Sequence, residues 1–61
     1  MKVGDTVCFK NDIEQCGTIV AIKVDMFGRK VLVLENEYGF EGDYIGGQER
    51  TQELASDCWV E

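Results

Sequence analysis

The sequence has no histidine, no proline and only one serine among its 61 residues. Without histidine it lacks the side chain whose ordinary pKa suits acid–base catalysis near neutral pH, and it lacks every Ser–His or Cys–His arrangement. A cysteine nucleophile would need a nearby cation or helix N-terminus, whereas Glu14 lies close to Cys16 and Asp57 adjoins Cys58. We therefore expect a protein that is not an enzyme and has no catalytic residues.

The three cysteines, Cys8, Cys16 and Cys58, form no C-x-x-C motif. An odd and sparse set differs from the dense, even sets of small secreted disulfide scaffolds. We expect reduced thiols in a cytoplasmic protein. The first residues, MKVGDTV, contain no apolar leader, and no window approaches 18 uncharged apolar residues, so we expect neither a signal peptide nor a membrane span.

The chain also has few metal ligands. Zinc prefers four Cys or His ligands, so a site made of the three thiolates would need strands one, two and five to meet, with a carboxylate or water as the fourth ligand. Calcium would use the oxygens of Glu35, Glu37, Glu41 and Asp43, but the spacing of an EF-hand loop is absent. We expect no metal and no other cofactor.

The charge is acidic and uneven. Twelve acids and six bases give a net charge of −6; residues 1–30 hold five bases and four acids (+1), and residues 31–61 hold one base and eight acids (−7). An acidic field repels phosphate backbones and anionic membranes. We expect no direct binding to nucleic acid and no binding to membranes.

The pattern of apolar residues predicts one all-β domain over residues 1–61. Strands are predicted at residues 6–10, 17–24, 31–35 and 58–60, with a loop at 11–15 and a tight hairpin at 25–28. Residues 48–55 are the best candidate for one or two helical turns. Because residues 31–34 are apolar on both faces, a curved barrel fits better than a flat sheet.

The first half of the chain resembles a known family. Residues 3–9 (VGDTVCF) and 17–22 (GTIVAI) resemble the V-G-D-x-V-x-F and G-x-I-V-x-I opening of SH3-like small barrels, such as the KOW and Tudor-like domains. The resemblance implies a five-stranded SH3-like barrel with one short helical turn before the last strand. Many KOW modules present basic residues to RNA, whereas the second half of this chain is acidic, so RNA binding is not expected.

Residues 34–47 read LENEYGFEGDYIGG and contain four carboxylates, three aromatic residues and four glycines, but no lysine or arginine. Read as a strand, the segment places Leu34 and Phe40 on one face and the acids on the other. Alternatively, residues 36–39 form a turn and a fourth strand begins at Phe40. Tyrosines beside carboxylates are typical of contact surfaces. The predicted partner-binding residues are Glu35, Glu37, Tyr38, Glu41, Asp43 and Tyr44.

Two functions are compatible with this segment, besides an ordinary solvated barrel face. The first is a protein-binding module, monomeric or weakly dimeric, that docks a basic surface on a partner protein. The alternative is a small acidic inhibitor of the phage type, which imitates a nucleic-acid backbone and blocks a DNA- or RNA-binding enzyme.

Trp59 is the single tryptophan. We expect it in the core, because a sole Trp in a small barrel usually packs inside. The alternative is an aromatic cage in which Tyr38, Tyr44 and Trp59 surround a methylated lysine or arginine, as in some Tudor-like domains.

Overall fold

The computed structural model describes residues 1–11, 13–40 and 48–61, with the side chains of residues 11, 37–39, 48 and 49 outside that description. Five strands form one antiparallel sheet in the order β4-β3-β2-β1-β5, and a 3-10 turn precedes β5. The elements are β1 (Thr6–Asn11), β2 (Ile13–Val24), β3 (Lys30–Phe40), β4 (Gln48–Leu54), the 3-10 turn (Ala55–Asp57) and β5 (Cys58–Val60). This confirms the all-β class, the five strands and the helical turn before the last strand.

Closure of the sheet into a barrel would require a hydrogen-bonded ladder between its two edge strands. Among the described residues, no ladder joins the two edge strands β4 and β5, so a five-stranded antiparallel sheet is established but a closed barrel is not. The same residues include no helix long and apolar enough to cross a membrane.

Strand β2 is longer than predicted and pairs with two neighbours. Its first half pairs with β1 and its second half with β3, and the register with β3 shifts between Ile19 and Ala21. The predicted loop at residues 11–15 is wrong, because Ile13 already begins β2. A register shift increases local twist, which lets one long strand bend with the sheet.

The end of β3 decides between the two interpretations of the acidic segment. Because β3 continues to Phe40, the interpretation with a turn at residues 36–39 is wrong. Leu34 and Phe40 are both buried, as the alternating pattern predicts. The remainder of the predicted fourth strand, at residues 41–45, lies outside the described residues.

The predicted helical segment is instead strand β4, with only Ala55 belonging to the following 3-10 turn. Its residues pair with β3 in register, Leu34 opposite Thr51 and Val31 opposite Leu54. Glutamine, glutamate and arginine favour helices by a few tenths of a kcal/mol each, roughly. Pairing with the apolar edge of β3 outweighs that preference.

The core lies on one face of the sheet, here called the core face, and the opposite face is called the outer face. The core cluster consists of Val7, Phe9, Ile19, Leu32, Leu34, Phe40 and Cys58. The rings of Phe9 and Phe40 lie 5.8 Å apart between centroids and are tilted by 39°. Each such side chain contributes about 1.5–3 kcal/mol by leaving water.

Trp59 does not join this core. It is 43% exposed, because Cys58, its neighbour along β5, faces the core and successive strand residues face opposite sides. The expectation that Trp59 is buried in the core is therefore wrong. Trp59 lies on the outer face, opposite Cys8 of β1.

Two of the three cysteines form a disulfide, so the expectation of three reduced thiols is wrong. Cys8 and Cys16 are direct partners across β1 and β2, with Cα atoms 4.0 Å apart, and their sulfurs are bonded. Cys58 is free and buried on the core face. Because Cys8 lies on the opposite face of the sheet from Cys58, a site made of all three thiolates is also wrong.

Candidate functional site

Of the six predicted contact residues, only Glu35 has a described side chain. Glu37 and Tyr38 belong to strand β3, but their side chains are outside the description. Glu41, Asp43 and Tyr44 lie outside the described residues altogether. The structure therefore brings one predicted residue into a defined setting and leaves the other five as predictions.

Glu35 lies on the outer face and is bound by Arg50 of the neighbouring strand. The two residues are cross-strand partners, and Arg50 Nε donates to Glu35 Oε2 at 2.8 Å. The Arg50 side chain is largely exposed and that of Glu35 is partly exposed, so the pair stabilises the fold by only about 0–1 kcal/mol. This contact was not predicted, because residues 48–55 were expected to be helical, whereas Arg50 lies in a strand beside β3.

Beside Glu35 the outer face carries an open groove of about 550 Å³, whose walls include Thr6, Cys16, Thr18 and Asn36. The Asn36 side-chain amide donates to the Cys16 carbonyl at 3.1 Å, which joins β3 to β2 across the groove. Its walls mix short polar side chains with Gly17 and Val20, and the groove is open to solvent. Such a surface suits contact with another macromolecule better than enclosure of a small ligand.

Three described acids of the second half of the chain, Glu35, Glu53 and Asp57, do not share one face. Glu35 lies on the outer face, whereas Glu53 of β4 pairs with the buried Leu32 and accepts a hydrogen bond from Thr51 Oγ1 at 3.2 Å. Asp57 is exposed in the 3-10 turn. These three acids thus lie on different parts of the surface.

The β2–β3 hairpin is organised by Asp25. Asp25 Oδ1 accepts hydrogen bonds from the backbone N–H groups of Phe27 and Arg29, each at 2.9 Å, and Oδ2 accepts one from Arg29 Nε at 2.7 Å. The backbone N–H of Arg29 is the largest influence on the pKa of the Asp25 carboxyl and lowers it; desolvation, the next largest, opposes it, and the Arg29 side chain and the Phe27 N–H lower the pKa further. Gly28 completes the turn with a φ of 80°, which confirms the predicted tight hairpin.

This ordered turn exposes apolar side chains that are absent from the predicted contact residues. Met26 is 90% exposed and Phe27 is 75% exposed, with the Arg29 guanidinium 5.2 Å from the centroid of the Phe27 ring. Met, Phe and Arg are enriched where proteins contact one another. The signal in the sequence was an M-F pair inside a hairpin turn, where apolar residues have no core to enter.

The aromatic cage is only partly described. Trp59 is on the outer face, but the side chains of its two proposed partners, Tyr38 and Tyr44, are outside the description. The cage therefore stays a prediction.

Comparison of the chain with protein-family models, with curated proteins and with solved structures finds no match. The resemblance to SH3-like barrels consequently rests on the motif residues and on the five-stranded sheet alone.

Proposed function

We propose that this chain is a non-enzymatic protein-binding module that docks a basic surface of a partner protein through the acidic, tyrosine-bearing segment from Glu35 to Tyr44. The observation that carries the proposal is the anchoring of β3: Leu34 and Phe40 are buried on either side of the acidic run, and Glu35 faces outward between them. Glu35, the one acid of the segment with a described side chain, is thus carried by a strand that is packed at Leu34 and Phe40, so ordering it on binding costs little entropy.

The charge balance supports the same function. Arg50 is the only base among residues 31–61 and it is bound to Glu35, so this half of the sequence retains seven acids and no further base. Such a field accelerates encounter with a basic partner and is screened over about 8 Å at physiological ionic strength. Tyrosine rings would supply the apolar contact.

The described acids favour docking over imitation of nucleic acid. A phosphate mimic needs carboxylates along a continuous stripe, whereas Glu35 and Glu53 lie on opposite faces of the sheet. The carboxylates of Asp5 and Asp25 bind backbone N–H groups of their own turns.

We also propose that the sheet closes as an SH3-like barrel. The register shift in β2, which pairs with β1 in its first half and β3 in its second, supports a closed arrangement around the core cluster. Closure would protect the outward backbone N–H groups of β4 and β5 from hydrogen exchange, and exchange at the rate of an unstructured chain on both edges would contradict it.

The docking function is tested by titrating the 15N-labelled chain with a peptide rich in lysine and arginine. At low salt we expect chemical-shift changes centred on residues 35–44, and we expect high salt to abolish them. Charge reversal at Glu37 and Glu41 together should weaken binding about tenfold or more. The matched control reverses the charges of Glu14 and Asp57, which changes the net charge by the same amount at other positions. An equal loss of affinity in both double variants would overturn the proposal, and so would binding that does not depend on salt concentration.

A further inference from the structure

The disulfide between Cys8 and Cys16 has a carboxylate beside it. Residue 61 follows β5 and is held next to β1, because its backbone N–H donates to the Thr6 carbonyl at 3.2 Å. The two sulfurs and one side-chain oxygen of Glu61 all lie within 4.8 Å of one another. Three potential metal ligands from three separate segments of chain thus meet on the outer face.

Their chemistry suits zinc once the sulfurs are separated. Zinc binds thiolates at about 2.3 Å and carboxylate oxygens at about 2.0–2.2 Å, usually in a tetrahedron. Two thiolates on one ion stand roughly 3.8 Å apart. The sulfurs of Cys8 and Cys16 are bonded in the structure, so they must move apart after reduction to reach this separation, with the Glu61 carboxylate beside them. Soft thiolate ligands select zinc over calcium or magnesium, and three protein ligands leave the fourth position to water.

We propose that reduction of the Cys8–Cys16 disulfide creates a zinc site formed by both thiolates and the Glu61 carboxylate. A dithiol reductant supplies two electrons and two protons: the S–S bond breaks, two thiols form, and the reductant becomes a disulfide. Zinc then displaces both thiol protons as the two Zn–S bonds form. The oxidised chain cannot hold the ion, because each sulfur is bonded to the other.

The position of Cys58 supplies an internal control. Cys58 is opposite Phe9 across β5 and β1, on the core face, whereas Cys8 is opposite Trp59 on the outer face. Zinc held by the proposed ligands in the folded chain does not involve Cys58. Zinc held by an unfolded chain would use any of the three thiols.

The experiment is native mass spectrometry of the full chain with Zn²⁺ alone as the probe, after reduction by a phosphine and without it. We expect one zinc ion per reduced chain, none per oxidised chain, and release of two protons on binding. Replacing Cys8 and Cys16 together by serine should abolish binding, and Glu61→Gln should weaken it about tenfold or more. Cys58→Ala and Glu14→Gln, the latter on the same strand as Cys16, should leave binding unchanged.

The 15N–1H spectrum of the reduced chain keeps the test decisive if reduction loosens the fold. Zinc should then restore a dispersed spectrum, since binding to a folded site stabilises that fold. Zinc binding by the oxidised chain, loss of binding in Cys58→Ala, unchanged binding in Glu61→Gln, or failure of zinc to bind or refold the reduced chain would each overturn the proposal.

Discussion

The ring of Phe40 lies directly over Gly17: a Cβ atom added at residue 17 would stand 2.8 Å from Cζ of Phe40. The same Cβ would stand 3.3 Å from Cβ of Leu34 and 3.1 Å from the Glu35 carbonyl oxygen. The missing side chain on β2 thus makes room for the aromatic side chain that ends β3. This contact packs the end of β3 against β2.

Gly17→Ala should lower the free energy of unfolding by roughly 1–3 kcal/mol, the usual cost of overpacking a core. Loss of a strand glycine alone would stabilise the chain by about 0.5–1 kcal/mol, so the clash with Phe40 decides the sign. Urea denaturation measures the effect. Thr18→Ala, at the adjacent exposed position, is the control, and an equal loss there would contradict the explanation.

A second variant isolates the contact. Phe40→Leu removes the clashing ring atoms, so adding it to Gly17→Ala should cost less than the two single effects together. The interaction free energy from this double-mutant cycle should be about 0.5–3 kcal/mol, as for residues in contact. Strict additivity would show that Gly17 and Phe40 do not meet.

Acid should loosen the β2–β3 hairpin. The pKa of Asp25 in the folded chain is below its ordinary value of 3.8, chiefly because of the Arg29 backbone N–H, so below that pH the unfolded chain binds more protons than the folded one. The stabilisation is therefore fully present above about pH 3.8 and is lost as the pH falls through the lower, folded-state pKa. The amide exchange rates and chemical shifts of Phe27 and Arg29, followed as the pH falls, measure this loss of stabilisation.

Asp25→Asn is the control for this titration. Its amide oxygen retains the acceptor for the backbone N–H groups of Phe27 and Arg29 but has no charge to lose. We expect the pH dependence at the hairpin to disappear in this variant. A titration that persists below pH 3.8 would assign the effect to another carboxyl.

The sequence predicts the strands that have a local pattern of apolar or β-branched residues. It does not predict the strand that forms only because a neighbouring strand pairs with it. Val7 and Phe9 identify β1 and the β-branched run identifies β2, because their burial depends on local pattern. Residues 48–54 have no such pattern. They become strand β4 only because β3 offers them an unpaired edge, and no property of the segment alone contains that information.

The disulfide was missed for a related reason. Cys8 and Cys16 each lie four positions from Asp12, so a hairpin centred there pairs them directly. Because a loop was predicted at residues 11–15, the predicted second strand began only at residue 17, and Cys16 had no predicted partner. Extending the β-strand pattern back to Ile13 would have placed the two cysteines opposite each other.

Arg50→Ala should strengthen binding to the basic peptide. It removes the cation bound to Glu35 and raises the local negative charge, yet it should change the free energy of unfolding by no more than about 1 kcal/mol, because the ion pair is exposed. The same titration at low salt measures the gain. Lys30→Ala, which removes an exposed base at the hairpin end of β3, is the matched control, and equal strengthening in both variants would indicate net charge rather than this site.

Thiol counting separates the disulfide from three reduced cysteines. In the air-oxidised chain, an aromatic disulfide reagent in denaturant should detect one thiol, Cys58, and after reduction it should detect three. In the folded chain Cys58 should react slowly, because burial and then the charges of Glu53 and Asp57 raise the pKa of its thiol. The rate should therefore rise at higher pH than for an exposed thiol. Cys58→Ser should remove the signal from the oxidised chain, and three reactive thiols before reduction would contradict the disulfide.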